Sequence, residues 1–228
     1  MDRRAVNKQV VSRQRVADHG EVLTGEREVN AMLDLVRQET ERIDSRFLEP
    51  ACGTGNFLAE ILRRKLAIVA TRYSKAHLEY QRHAVTAVSS VYGIDILEDN
   101  VQACRERLYE VFDGEYTRLF KKKGSAECRE AIRYLLCRNI VQGDALTLKT
   151  VAENPAPIVF SEWSLVRGSM MKRRDFSYSG LVEGADTKGG SLFSGPGEVS
   201  DLGEDVFIPN PVREYPLTHF LEVACVDD

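Results

Sequence analysis

Phe47-Leu48-Glu49-Pro50-Ala51-Cys52-Gly53-Thr54-Gly55-Asn56-Phe57 reads as a short apolar strand, a glycine turn and the start of an amphipathic helix. Glycines 53 and 55 let the backbone turn sharply and let a ligand approach the main chain. The helix start beyond them offers unpaired N–H groups that suit a carboxylate or phosphate. Glu49, four residues before the first glycine, argues for a cationic or hydroxyl-bearing ligand and against a pyrophosphate. A strand that turns through glycines into a helix belongs to an α/β architecture, so the neighbouring segments are read for further strand–helix pairs.

Upstream, Val29, Met32, Leu33 and Val36 recur at helical spacing, which predicts one helix from Glu28 to about Thr40. Residues 1–20 are polar and basic and read as an arm or a short helix. Downstream, Phe57, Leu58, Ile61, Leu62 and Leu66 mark the inner face of the next helix, and Ala67–Ser90 reads as an added helical segment. Ser90–Ile96 is a second strand, followed by a helix opened by Glu98, Asp99 and Asn100, where acids favour the dipole. A helix over Glu127–Cys137 precedes a third strand, Asn139–Asp144, and Pro157–Phe160 is the fourth. Strands alternating with helices imply a parallel sheet. After Phe176 the chain is rich in Gly, Ser, Asp and Pro, with brief extended pieces near Val206–Ile208 and Leu217–Val223 and no helix expected. The expected organisation is an arm (1–27), a ligand-binding α/β domain (28–176) and a loop-rich extension (177–228).

Bulk properties narrow the function classes. The chain has 228 residues, 43% hydrophobic and 29% charged, enough for one domain with a substantial core. A net charge of −4 does not advertise nucleic-acid binding, although Lys121-Lys122-Lys123 and Lys172-Arg173-Arg174 are local basic runs, solvated surface or phosphate contacts. No apolar run has membrane-spanning length, and no signal peptide is read at the charged N-terminus. The five cysteines are odd in number with no C-x-x-C spacing, which argues against a zinc site or disulfide framework and for the reducing cytoplasm.

In a sheet of this kind ligands sit beyond the carboxyl ends of the strands. Glu49, Asp95 and Asp144 are the acids at those ends. Asp95 and Asp144 suit ribose hydroxyls and an adenine amino group, and Ile96 and Leu146 can sandwich the ring. Each residue alone has a plainer reading as a turn or strand-end aspartate. A nicotinamide-binding loop would place a third glycine where this chain has Leu58, and an acid about twenty residues on. Asp95 lies about forty residues beyond Gly55.

The ordered set resembles the class I S-adenosylmethionine-dependent DNA methyltransferases of the adenine-amino type, from bacterial restriction–modification systems. Three stretches carry it over roughly residues 15–165: Glu49–Phe57, Tyr92-Gly93-Ile94-Asp95 and Gly143-Asp144-Ala145, preceded by His19–Thr24. The resemblance implies a Rossmann-like sheet with helices on both faces, incomplete towards its C-terminal end. It implies S-adenosylmethionine held by Thr24, Glu49, Pro50, Gly53, Gly55, Asn56, Phe57, Asp95, Ile96, Asp144 and Ala145. It also implies DNA as substrate, a specificity, nuclease or helicase subunit as partner, and no metal.

The family completes its site after the fourth strand with Asn or Asp, two prolines and an aromatic. Here that position reads Phe160-Ser161-Glu162-Trp163, while Asn154-Pro155-Ala156-Pro157 precedes the strand and lacks the aromatic. Thr24-Gly25 departs from the usual Thr-Pro. Ser161 and Trp163 are the candidates for holding and stacking on a flipped base; core packing is the other reading of Trp163. Besides an autonomous methyltransferase, the sequence admits a non-catalytic cofactor-binding subunit, docking through the end that carries Phe193, Phe207 and Phe220. It also admits a methyltransferase for small molecules or proteins.

Overall fold

The apolar triplet before Pro50 forms β1 (Phe47–Glu49) in a computed structural model that describes residues 14–15, 24–186 and 210–225. β2 (Val91–Asp95) lies parallel to it, with Phe47 opposite Val91. β3 (Ile140–Asp144) is parallel to β2, and the short β4 (Lys149–Thr150) turns back antiparallel on β3. The sheet order is β1-β2-β3-β4.

The helices read from the sequence precede and separate these strands, with two changes of boundary. The single helix expected over Glu28–Thr40 is two, α1 (Glu26–Asp34) and α2 (Arg37–Thr40). Only Val29 and Leu33 of its apolar stripe are buried, whereas Met32 and Val36 stay exposed, so no core holds the helix through Leu35 and Val36. The added segment over Ala67–Ser90 is not one helix either. α3 (Asn56–Tyr73) absorbs its beginning and α4 (His77–Ser89) starts after an extended Ala76, with no glycine or proline at the break. α5 (Glu98–Phe120) and α6 (Ala126–Asn139) form the second crossover, and Ser125 caps α6 by accepting from the Cys128 N–H at 3.0 Å.

Alternation along β2 divides the core. Val91 packs with Leu58, Leu62 and Leu66 of α3, Ala84 and Val88 of α4, Val101 and Leu108 of α5, and Leu135 of α6. Fully burying each valine or leucine of this set is worth about 1.5–3 kcal/mol. Tyr92 and Ile94 point the other way, into a cluster with Ile158, Phe160, Phe176, Tyr178 and Leu181. Helices cover the first face. The second, expected to carry a helical layer as well, is covered by a β-hairpin and by Leu181 of one short helix.

That hairpin replaces the fourth parallel strand. β5 (Val159–Arg167) and β6 (Met170–Ser177) are antiparallel, joined at Gly168 with φ 56°. A connection this short can join only antiparallel neighbours. β7 (Arg213–Glu214) and β8 (Thr218–His219) add to β6, making a second sheet separate from the first.

α7 (Tyr178–Asp186) corrects the expectation of no helix after Phe176. Its start is held by Ser177 Oγ, which accepts from the Gly180 N–H at 3.2 Å, and Tyr178 and Leu181 bury on one side despite the glycine between them. Phe220, expected in a docking region, is fully buried in the helix-side core. Phe193, Phe207 and the extended piece at Val206–Ile208 lie outside the described residues, as does most of the N-terminal arm.

Candidate functional site

The glycine turn is tied to the end of β2 rather than standing free. The Cys52 N–H donates to the Ile94 carbonyl at 2.8 Å, and the Gly55 N–H closes back on the Cys52 carbonyl at 2.8 Å. Gly53 and Gly55 adopt φ 52° and 83°, the left-handed region that costs other residues about 1–2 kcal/mol. Space is the second reason for glycine at 55, because a Cβ there would sit 2.7 Å from Cys104 Sγ on α5.

Asp95 is the hub. Its Oδ2 accepts from the Gly53 N–H at 2.8 Å, and its Oδ1 from the Leu97 N–H at 2.9 Å and Asn100 Nδ2 at 3.2 Å. A carboxylate has about four acceptor positions, so about one remains for a ligand.

Glu49 differs. It is half-buried at the mouth of the turn, accepts from the Ala51 backbone, and has no cationic partner among the described residues. Burial raises its pKa above the ordinary carboxylate value. A few residues away, α3 begins at Gly55 with no capping side chain and no acid in its first turn. Its first N–H groups therefore remain suited to an anion.

Asn56 ties this helix start to the segment before α1: its Nδ2 donates to the Thr24 carbonyl at 2.8 Å. Thr24 thus enters through its backbone. Pro50 is exposed beside the turn, and Phe57 packs partly against the helix-side core.

One strand over, Ile96 is 43% exposed and Leu146 is 94% exposed, two apolar side chains without cover at the ends of β2 and β3. Gln142 Nε2 donates to the Ile96 carbonyl at 3.1 Å and ties those ends together. Asp144 accepts from the Leu146 N–H at 2.9 Å and Thr147 Oγ1 at 3.0 Å, bonds that hold its pKa below the usual range and shape the turn carrying Leu146. Ala145 packs against the hairpin-side core. Strands about 4.8 Å apart set the ends of β1 and β3 about 10 Å from each other.

Ser161 and Trp163 are not part of this edge. Ser161 is 2% exposed and donates to Asp175 Oδ1 at 2.7 Å; Trp163 is 7% exposed, with its indole N–H on Asn139 Oδ1 at 3.2 Å. Arg173 lies between Trp163 and Tyr215, 5.5 and 3.9 Å from the ring centroids, and pairs with Asp175 at 2.9 Å. Both candidate base-contacting side chains are buried in this network, so neither is open to a base. Packing, the plainer reading of Trp163, is what the geometry gives.

The basic runs are also accounted for. Lys172 pairs with Glu214, Arg173 with Asp175 and Arg174 with Glu162, so that run knits the hairpin sheet. Lys121–Lys123 follow the 23-residue α5, about 35 Å of helix away from the strand ends. Asn154–Pro157 is an exposed loop beside β4.

Three contributors were missed. Arg107 on α5 donates to the Thr54 carbonyl at 3.2 Å and to Asn56 Oδ1. Arg15 binds Asp99 and, at 3.1 Å, Asn100 Oδ1, behind Asp95. Asn100 looked like a helix-start residue and is also a donor to Asp95. Arg107 follows the buried Cys104 by three residues, which puts it on the same side of α5, a weak signal that only the loop's position makes legible.

Among the described residues no helix is long and apolar enough to cross a membrane, and no group of three His, Cys, Asp or Glu is placed to hold a metal ion. Neither a family model, nor a curated protein, nor a solved structure matches the chain.

Proposed function

We propose that this chain binds S-adenosylmethionine across the ends of β1, β2 and β3 and serves as the cofactor-binding unit of a DNA adenine-amino methyltransferase of a restriction–modification or defence system. The observation that carries the reading is the half-buried Glu49 carboxylate, without a cationic partner among the described residues, beside the uncapped start of α3. An acid without a cation and a helix N-terminus without an anion, a few residues apart, complement a zwitterion. The amino-acid end of S-adenosylmethionine is one. Its ammonium then faces Glu49 and its carboxylate the first N–H groups of α3. The ribose lies at Asp95, and the adenine lies between Ile96 and Leu146, with Asp144 shaping the turn.

Methyl transfer to an adenine amino group forms an N–C bond as the S–C bond breaks, and it releases S-adenosylhomocysteine and a proton. Groups that hold the base stabilise charge developing at the nitrogen. Because Ser161 and Trp163 are buried, those groups come, in this reading, from a partner subunit, which also brings DNA recognition. The purified chain should retain labelled S-adenosylmethionine in equilibrium dialysis and transfer no label to mixed-sequence duplex DNA. Retention without transfer, followed by transfer once a co-purified partner is present, supports the proposal. Transfer by the chain alone would show that it builds its own base site, and no retention would sink the cofactor assignment.

A further inference from the structure

The Arg107 guanidinium half-buries beside the glycine turn, and no carboxylate pairs with it among the described residues. A cation is not kept at such a place by an ion pair, so its two acceptors define its role. They are the Thr54 carbonyl, in the turn, and Asn56 Oδ1, at the first residue of α3. A carboxamide has a donor end and an acceptor end that exchange by a flip. With Oδ1 held by Arg107, Nδ2 is directed at the Thr24 carbonyl, which accepts at 2.8 Å. The relay runs from α5 through the helix start to the segment before α1, and every contact lies at the β1 end of the sheet.

We infer that Arg107 is a positioning residue for the amino-acid end of the bound cofactor, a conclusion that rests on the proposed function above. It fixes the Asn56 amide and the Thr54 peptide, and through them the turn and the α3 N-terminus that face the ligand's carboxylate. Asp95 touches the turn through the Gly53 N–H alone and is held independently by Leu97 and Asn100, while Ile96 and Leu146, one and two strands over, make no hydrogen bond to Arg107, Asn56 or Thr24. Loss of Arg107 therefore separates the two ends of the ligand.

The test uses two probes on the full chain: S-adenosylhomocysteine, and 5′-methylthioadenosine, which keeps the nucleoside and lacks the amino-acid group. Arg107→Met keeps much of the side-chain stem and removes the donors. It should weaken S-adenosylhomocysteine by about tenfold, the scale of one lost charge-assisted hydrogen bond, and leave 5′-methylthioadenosine within about twofold. Arg107→Lys, with one compact donor group, should recover part of the loss. If Arg107→Met does not fold, Arg107→Gln decides: it keeps a polar, uncharged side chain at the half-buried position but is too short to hold both the Thr54 carbonyl and Asn56 Oδ1, so the same selective loss is expected. Equal loss of both probes, or no loss of either, in a variant that unfolds cooperatively overturns the inference. Failure of the unaltered chain to bind either probe would instead overturn the functional proposal on which it rests.

Discussion

Gly55→Ala tests how tightly the glycine turn is packed, and the structure divides its cost into two parts. The left-handed conformation at φ 83° costs an alanine about 1–2 kcal/mol. The added Cβ would also meet Cys104 Sγ at 2.7 Å, and Cys104 is fully buried, so the sulfur or the turn must shift. Overpacking of this sort costs about 1–3 kcal/mol. The sum, about 2–5 kcal/mol, is a large share of a typical domain's stability. Cys104→Ala removes the obstructing sulfur. In the double variant the steric part should be relieved and the conformational part kept, so the two substitutions should couple favourably by about 1–3 kcal/mol. Urea unfolding of the four proteins, followed by circular dichroism, gives the cycle directly. A nearly neutral Gly55→Ala, or a double variant whose losses simply add, would refute the argument that this glycine is demanded by the approach of α5.

Other expectations follow from the same geometry. Asp95→Ala should weaken S-adenosylmethionine binding by about 1–3 kcal/mol and destabilise the fold as well, since the carboxylate also holds the Gly53 and Leu97 N–H groups; calorimetry and urea unfolding separate the two effects. Affinity for the cofactor should fall as pH is lowered through the raised pKa of Glu49, because the ammonium needs the ionised carboxylate, and Glu49→Gln should bind weakly with little pH dependence in that range. Lys65, fully buried, reaches the carbonyls of Ile43 and Ser45 and, at 2.5 Å, Ser90 Oγ, and burial lowers its pKa from 10.5 to about 7. Between those values the unfolded chain binds the extra proton, so this group makes stability rise with pH by up to about 5 kcal/mol; Lys65→Met should remove that slope in unfolding measured from pH 7 to 10. Trp163→Ala should cost about 3–5 kcal/mol of stability and leave cofactor affinity unchanged in the folded fraction, whereas a selective loss of binding would return this residue to the site.

The three parallel strands of the first sheet were legible because each is a short apolar run closed by a glycine, a proline or an acid, whereas β4, the polar pair Lys149–Thr150, was not. Asp95 and Asp144 were legible as strand-end acids for the same reason. The hairpin was not. Its interior holds Glu162, Arg173 and Asp175; Glu162 meets Arg174 across the register, Arg173 and Asp175 pair along β6, and Ser161 of β5 bonds Asp175. Read along the chain, Lys172-Arg173-Arg174 is a polar run; the partners of Lys172 and Arg174, Glu214 and Glu162, appear only when β7 and β5 lie beside β6. α7 was hidden by Gly180 and Gly184, whose low helix propensity is outweighed by burial of Tyr178 and Leu181. The Arg107–Asn56–Thr24 relay joins positions far apart in sequence, and no local pattern encodes it.

Titration calorimetry of the purified chain with S-adenosylmethionine tests the central claim most directly. A saturable, single-site isotherm that is strongly weakened in Asp95→Ala and in Glu49→Gln is the result this site predicts. Heats of dilution alone, up to millimolar cofactor and with the chain shown to be folded, would contradict it.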